Sequence, residues 1–196
     1  MARPMHAAPH TMLLLLAAGL AAADAQTHGG FLVQLNLGIG YTAIDSGSRV
    51  VGSNGPALNA GVHLGYSFDG PIAIALHGFV DGEIITTDAG ASDRPEPGNA
   101  GYLFGAGPEL LLTAYDLRFG LTPALVGIIH GSSGVATDLT LGAVISVTRE
   151  WGISQRWSAG IRGEFIYAHV PHPAAGFDAS PVDVYSATVG VSFTYH

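Results

Sequence analysis

Cysteine is absent from this 196-residue chain, and lysine is absent too. Without cysteine there is no disulfide framework and no thiol chemistry. Without lysine, all 7 basic side chains are arginines, set against 15 acidic ones, for a formal net charge of -8. That balance provides no basic patch to neutralise phosphates, so nucleic acid is excluded as a partner. Charge of either sign is scarce: 11% of residues are charged, against about 25% in an ordinary soluble domain. Long apolar runs are also missing. Beyond the N-terminal stretch there is no run of about 18 apolar residues, which excludes a membrane-spanning helix from that region. Yet 48% of residues are hydrophobic. These facts fit together if apolar residues are dealt out one in two along β-strands.

The first 25 residues read as a secretory address. Arg3 supplies a weak positive region, Leu13–Leu16 with the following alanines form a short apolar core, and Ala23-Asp24-Ala25 is an A-x-A cleavage site. The expected organisation is a signal peptide over 1–25 and one domain over 26–196, exported from the cytoplasm.

Period-two alternation marks about eight strands in that domain. The first carries Phe31, Val33, Leu35, Leu37, Ile39 and Tyr41 on one phase. A polar, Gly-rich loop follows, from Asp45 to Pro56. The second strand carries Leu58 to Phe68, and Asp69-Gly70-Pro71 is a tight turn into the third. A long loop from Thr86 to Asn99 holds Asp88, Asp93 and Glu96, a weak cation-binding surface at most. The fourth strand ends near Thr113-Ala114, read as a two-residue turn. The fifth reaches Pro123, where the missing N–H predicts a bulge or local break. Gly131–Val135 is a loop, Arg149–Arg156 a turn, and Pro171–Pro181 a Pro/Ala/Gly loop before the last strand. Long and short connections alternate.

The last strand sets Tyr185, Ala187, Val189, Val191, Phe193 and Tyr195 against Ser186, Thr188, Gly190, Ser192 and Thr194. Thr188, Gly190, Phe193 and Tyr195 fit the closing signal of bacterial outer-membrane barrels, with His196 one residue past the usual aromatic end. Together with the alternation, the chain resembles the small eight-stranded outer-membrane barrels of the OmpA/OmpX-like group. The resemblance implies an all-β fold, an eight-stranded antiparallel up-and-down transmembrane β-barrel. It also implies a bacterial outer-membrane location, with membrane lipid and lipopolysaccharide as surroundings. The barrel-assembly machinery is then a partner through the C-terminal strand.

The charges favour the same reading. Asp81, Glu83, Glu109, Arg118, Asp138, Arg162 and Glu164 all lie on the small, polar phase of the expected strands. A charge facing lipid at mid-depth costs roughly 2–4 kcal/mol, so a lipid-facing phase is expected to carry none there. Aromatics mark two belts. Phe31, Tyr66, Phe68, Phe119, Trp151, Trp157, Phe193 and Tyr195 lie toward one end; Tyr41, Tyr102, Tyr167 and Tyr185 lie toward the other. The rival is a soluble secreted ligand-binding barrel with apolar residues inside, which alternation alone does not separate.

Inside such a barrel, Glu109 is expected opposite Arg118, and Arg162 with Glu164 extends the pairing into a lumenal ion network. Its role is a plug or a gate for small solutes; eight strands leave an interior that side chains just fill. His63 and His77 face each other on neighbouring strands, and His169 and His172 lie near the last loop. No ligand spacing is evident, so no metal and no cofactor are expected. His130-Gly131-Ser132 resembles the His-x-Ser pair of outer-membrane lipid A deacylases, with Asp138 as the nearest acid; a base beside a hydroxyl suits acyl transfer. The favoured reading is non-enzymatic: a structural, adhesive or minor porin-like barrel with a charge-plugged lumen.

Overall fold

Alternating small polar and large apolar side chains fold into a closed antiparallel ring. The computed structural model describes residues 29–45, 52–83, 87–88, 101–114, 117–130, 135–136, 139–171 and 181–196. The expected signal peptide, Asp138, and most of the residues between β3 and Gly101 lie outside them. The strands are β1 (Gly30–Asp45), β2 (Gly52–Ser67), β3 (Ile72–Glu83), β4 (Thr87–Asp88), β5 (Gly101–Ala114), β6 (Leu117–His130), β7 (Val135–Ala136), β8 (Thr140–Gly152), β9 (Trp157–Val170) and β10 (Val182–Tyr195). Eight of them are long. Their order around the ring is β1-β10-β9-β8-β6-β5-β3-β2, and β2 pairs back onto β1 to close it. The two-residue strands β4 and β7 extend the rim on β2 and β6.

The outward phase is the greasy one. Leu37 and Ile39 are each 64% exposed and Leu141 is 75% exposed, whereas Gln34, His63, Thr122 and Thr194 are fully buried. A water-soluble barrel inverts that arrangement, so the soluble alternative is set aside: this surface suits acyl chains. Tyr66 with Phe68, and Trp157 with Tyr195, form edge-to-face pairs near the short turns. Tyr167 and Tyr185 meet near the opposite end, 5.3 Å between centroids. Such aromatic belts belong at the two membrane–water boundaries.

Four boundaries differ from the sequence reading. Residues 52–56, read as loop, are the start of β2 and pair with Tyr41–Asp45 of β1. Above the aromatic belt a hairpin gains as much from pairing polar residues as apolar ones, so composition conceals its length. Likewise β8 runs on to Gly152, and the turn shrinks to 153–156, where the Ile153 and Ser154 N–H groups donate to the Trp157 carbonyl. This extension puts Arg149 on the outward phase, its guanidinium 5.7 Å from the Trp151 ring centroid at the belt, where a long basic side chain reaches water.

Thr113 and Ala114 belong to β5 rather than to a turn, since they pair with Arg118 and Leu117. Moving a two-residue turn by two positions moves every cross-strand partner by four. An even shift preserves which face each residue occupies. Finally, β6 continues past Pro123 to His130. The local break expected at Pro123 is present as a gap in pairing with β5. The β5–β6 ladder stops at Ala106–Leu125 and resumes in the same register at Leu110–Leu121. Pro108 therefore stands opposite Pro123. A hydrogen-bonded rung needs an N–H from each residue, and neither proline has one. Close by, a side chain on Gly107 would strike the Pro123 carbonyl. The other sides of both strands are paired without interruption.

Candidate functional site

Inward-facing side chains from all eight long strands fill the lumen in three layers. At mid-depth, Arg162 of β9 is the hub. Its Nη2 lies 3.2 Å from Glu109 Oε1, and its Nε donates to Glu164 Oε2 at 3.0 Å. Glu109 Oε2 lies 2.5 Å from His63 Nδ1. His77 stacks on His63 and approaches Glu164 at 3.8 Å. Asn36 donates to Asn59 at 3.1 Å, and Asn59 donates to Glu164 at 3.4 Å. Nearby, Asp81 accepts from Thr42 at 3.3 Å and from Ser186. Glu109, Arg162 and Glu164 are all 5% exposed or less, so the two carboxylates and the guanidinium are dehydrated together. Such charges persist only where hydrogen bonds and opposite charge replace water.

Sequence position explains how the hub fits. Gly190 of β10 pairs with Arg162 on one side and with Gly38 of β1 on the other. A side chain on Gly190 would collide with the Leu37 carbonyl and Gly38. Two facing glycines thus leave room beside the guanidinium. The residual void there, lined by Asn36, Asn59, Arg162 and Glu164, is only about 10 Å³, at or below what one water needs.

The second layer lies at the short-turn end. Here Glu150 accepts from Thr194 at 2.6 Å, from Ser158 at 3.2 Å and from Arg118 Nη1 at 3.2 Å. His196 approaches Ser158 at 3.3 Å. The third layer is apolar and lies toward the opposite end: Phe79, Leu103, Val126, Ile128, Val144, Ile166, Val182 and Val184 pack against one another.

The expected Glu109–Arg118 pair is not formed. Arg118 stands across from Thr113 and turns to Glu150, because the four-residue shift carries it toward the rim. Glu109, Arg162 and Glu164 do meet. Glu150 and His196 were missed: the first was assigned to a turn, although Ser146, Thr148 and Glu150 continue one phase. The inward apolar residues were also missed, since Val126, Val144 and Val184 sit on the phase assigned to small and polar groups. No ligand spacing around His63 is evident in the sequence, yet the ladders β2–β3 and β3–β5 bring Glu109 to it from 46 residues away.

Of the closing-signal residues, Phe193 faces outward, and Tyr195 packs against Trp157 near the short-turn end. His130 ends β6, its backbone paired with Gly101 and Val135, while Ser132 and His172 lie outside the described residues. His169 pairs with Asp183 at 2.9 Å on the opposite rim.

The ring, its outward apolar surface and its layered interior can be compared with known proteins. Neisserial surface protein A, in its crystal structure, superposes with a TM-score of 0.53 at 12% identity, over 83% of this chain and 96% of that one. The outer membrane protein AlkL, solved by solid-state NMR in DMPC lipid bilayers, gives 0.50 at 11% identity, over 89% and 94%. The fold is that of a small outer-membrane β-barrel. No family model and no curated protein matches the sequence. At such identities the likeness concerns architecture, so the function must be argued from the lumen itself.

Proposed function

We propose that this chain is a non-enzymatic outer-membrane barrel whose lumen is closed, a wall and surface protein rather than an open pore. In this reading it is exported by its N-terminal signal, cleaved near Ala25, and inserted through its C-terminal strand by the barrel-assembly machinery. Lipid and lipopolysaccharide then surround its apolar belt. One observation carries the closure: the Glu109–Arg162–Glu164 network crosses the interior between strands that are not neighbours, with an apolar cluster beyond it. A solute must break a dehydrated ion network and then pass a greasy constriction. What remains for contact with the outside is the rim and its connections, which suits a structural or adhesive role.

The test is conductance. Refolded protein in planar bilayers, and liposome swelling alongside, should show no stable channel or only a very small one. A large, steady conductance would end this reading. Location is tested by fractionation: a heat-modifiable band in outer membranes supports it, and a band in the soluble fraction removes it.

A further inference from the structure

His63 of β2 and His77 of β3 are direct cross-strand partners. Their rings stack with centroids 3.9 Å apart and planes 14° from parallel, and both are fully buried. Glu109 joins them from β5. One nitrogen from each ring and one carboxylate oxygen all lie within 4.8 Å of one another.

The surroundings sort the ring nitrogens. Asn59 presents its amide N–H₂ to Glu164, and Asn59 Oδ1 then receives Asn36 Nδ2. Asn36 Oδ1 is left facing His63 Nε2 at 3.1 Å, which makes that nitrogen an N–H donor. On the other ring, Nδ1 lies 3.4 Å from Thr122 Oγ1. Two nitrogens remain. His63 Nδ1 faces Glu109 Oε2 at 2.5 Å. His77 Nε2 is buried and has no hydrogen-bond partner among the described residues. Glu109 is divided in the same way: Arg162 holds Oε1 and leaves Oε2 to the imidazoles.

That division is how histidines and carboxylates are prepared for a metal. One atom is tied to an outer polar group that sets tautomer and orientation, and the other is offered. Two imidazoles and one carboxylate form a three-ligand zinc donor set, with a fourth position left to water. We propose that the barrel interior binds one divalent transition-metal ion through His63 Nδ1, His77 Nε2 and Glu109 Oε2. Nitrogen donors favour Zn²⁺, Co²⁺, Ni²⁺ or Cu²⁺ over Mg²⁺ and Ca²⁺. Such an ion caps the orphaned His77 nitrogen and displaces the proton shared by His63 and Glu109. The Arg162 charge opposes it, and Glu164, bonded to Arg162 and close to His77, offsets that charge. Binding must also open the stack, because ring lone pairs lie in their planes and parallel planes do not converge. The inference is independent of whether the lumen conducts.

The full chain is refolded in detergent micelles, with and without Zn²⁺ present during refolding, and titrated with Zn²⁺ by calorimetry and with Co²⁺ by absorbance. One saturable site per barrel is expected, with the intense visible bands of low-coordinate Co²⁺ and no competition from Mg²⁺. His77→Phe keeps an aromatic ring at the stack and should weaken Zn²⁺ binding by ~100-fold or more, while Asn36→Ala, which touches only the outer polar group, should weaken it by ~10–100-fold. His169→Ala, at the exposed rim, should leave it unchanged. Heat-modified migration checks that each variant has folded, so a collapsed His77→Phe barrel leaves Asn36→Ala to decide. No saturable binding by the parent chain under either refolding regime overturns the site. So does unchanged affinity in the folded variants, or loss of binding in His169→Ala.

Discussion

Arg162 reaches across the lumen to Glu109, 3.2 Å from Nη2 to Oε1, although β8 and β6 intervene between their strands around the ring. The pair therefore ties opposite walls together. Arg162→Ala leaves Glu109 and Glu164 buried without their cation, a change that costs about 3–5 kcal/mol. The urea midpoint of the refolded barrel should fall accordingly, and small, flickering conductance should appear in planar bilayers. An Arg162→Ala barrel as stable and as silent as the parent would show that the network neither braces nor seals the interior.

Arg118 belongs to a different layer. Its partner is Glu150, and both side chains lie near the rim, 11% and 8% exposed. A double-mutant cycle between Arg118→Ala and Glu150→Gln should give a coupling of about 0.5–1.5 kcal/mol, and the cycle between Arg118→Ala and Glu109→Gln a coupling near zero. The opposite ranking would mean that the hairpin turn sits two residues earlier in the chain.

The outward face can be probed by depth. Leu37 lies midway along β1, and Phe31 lies at its start beside Tyr66. Leu37→Arg should cost about 2–4 kcal/mol in lipid, and Phe31→Arg about 0–1 kcal/mol, measured by reversible unfolding in bilayers. Equal penalties at the two positions would be inconsistent with a membrane core centred on Leu37.

The Pro108–Pro123 rung is a removable defect. Pro123→Val restores one N–H toward β5 and places a β-branched side chain on an exposed strand position. Stability should rise by about 1 kcal/mol, the net worth of one hydrogen bond, and amide exchange at Thr122 and Ala124 should slow. A drop in stability would indicate that the wall at this point is shaped around the proline ring.

Face assignment was legible in the sequence because parity survives error. Glu109 and Arg118 were given the wrong partners by a four-residue slip, yet both point inward as alternation requires. Contacts across the lumen were not legible. His63 meets Glu109 across the intervening strand β3, and Asn59 meets Glu164 through the closure of the ring; no local pattern encodes either geometry. The apolar cluster around Val126, Ile128 and Val144 was hidden for another reason. Toward one end both faces of the wall are greasy, and an unbroken apolar stretch carries no period. Glu150 was lost to a rule of thumb, since Trp-Gly-Ile-Ser after it looked like turn chemistry that had begun early.

The first and last long strands are zipped together from Val33–Tyr195 to Asp45–Asp183. The hoop is thus fastened by the two described strands farthest apart in sequence, the strand pairing with the largest loop-closure cost among them. Until β10 arrives, β1 presents a bare row of N–H and C=O groups, each a liability of several kcal/mol in hydrocarbon. A partly delivered chain cannot settle into the bilayer one hairpin at a time: its unpaired backbone groups must keep access to water until the ring is fastened.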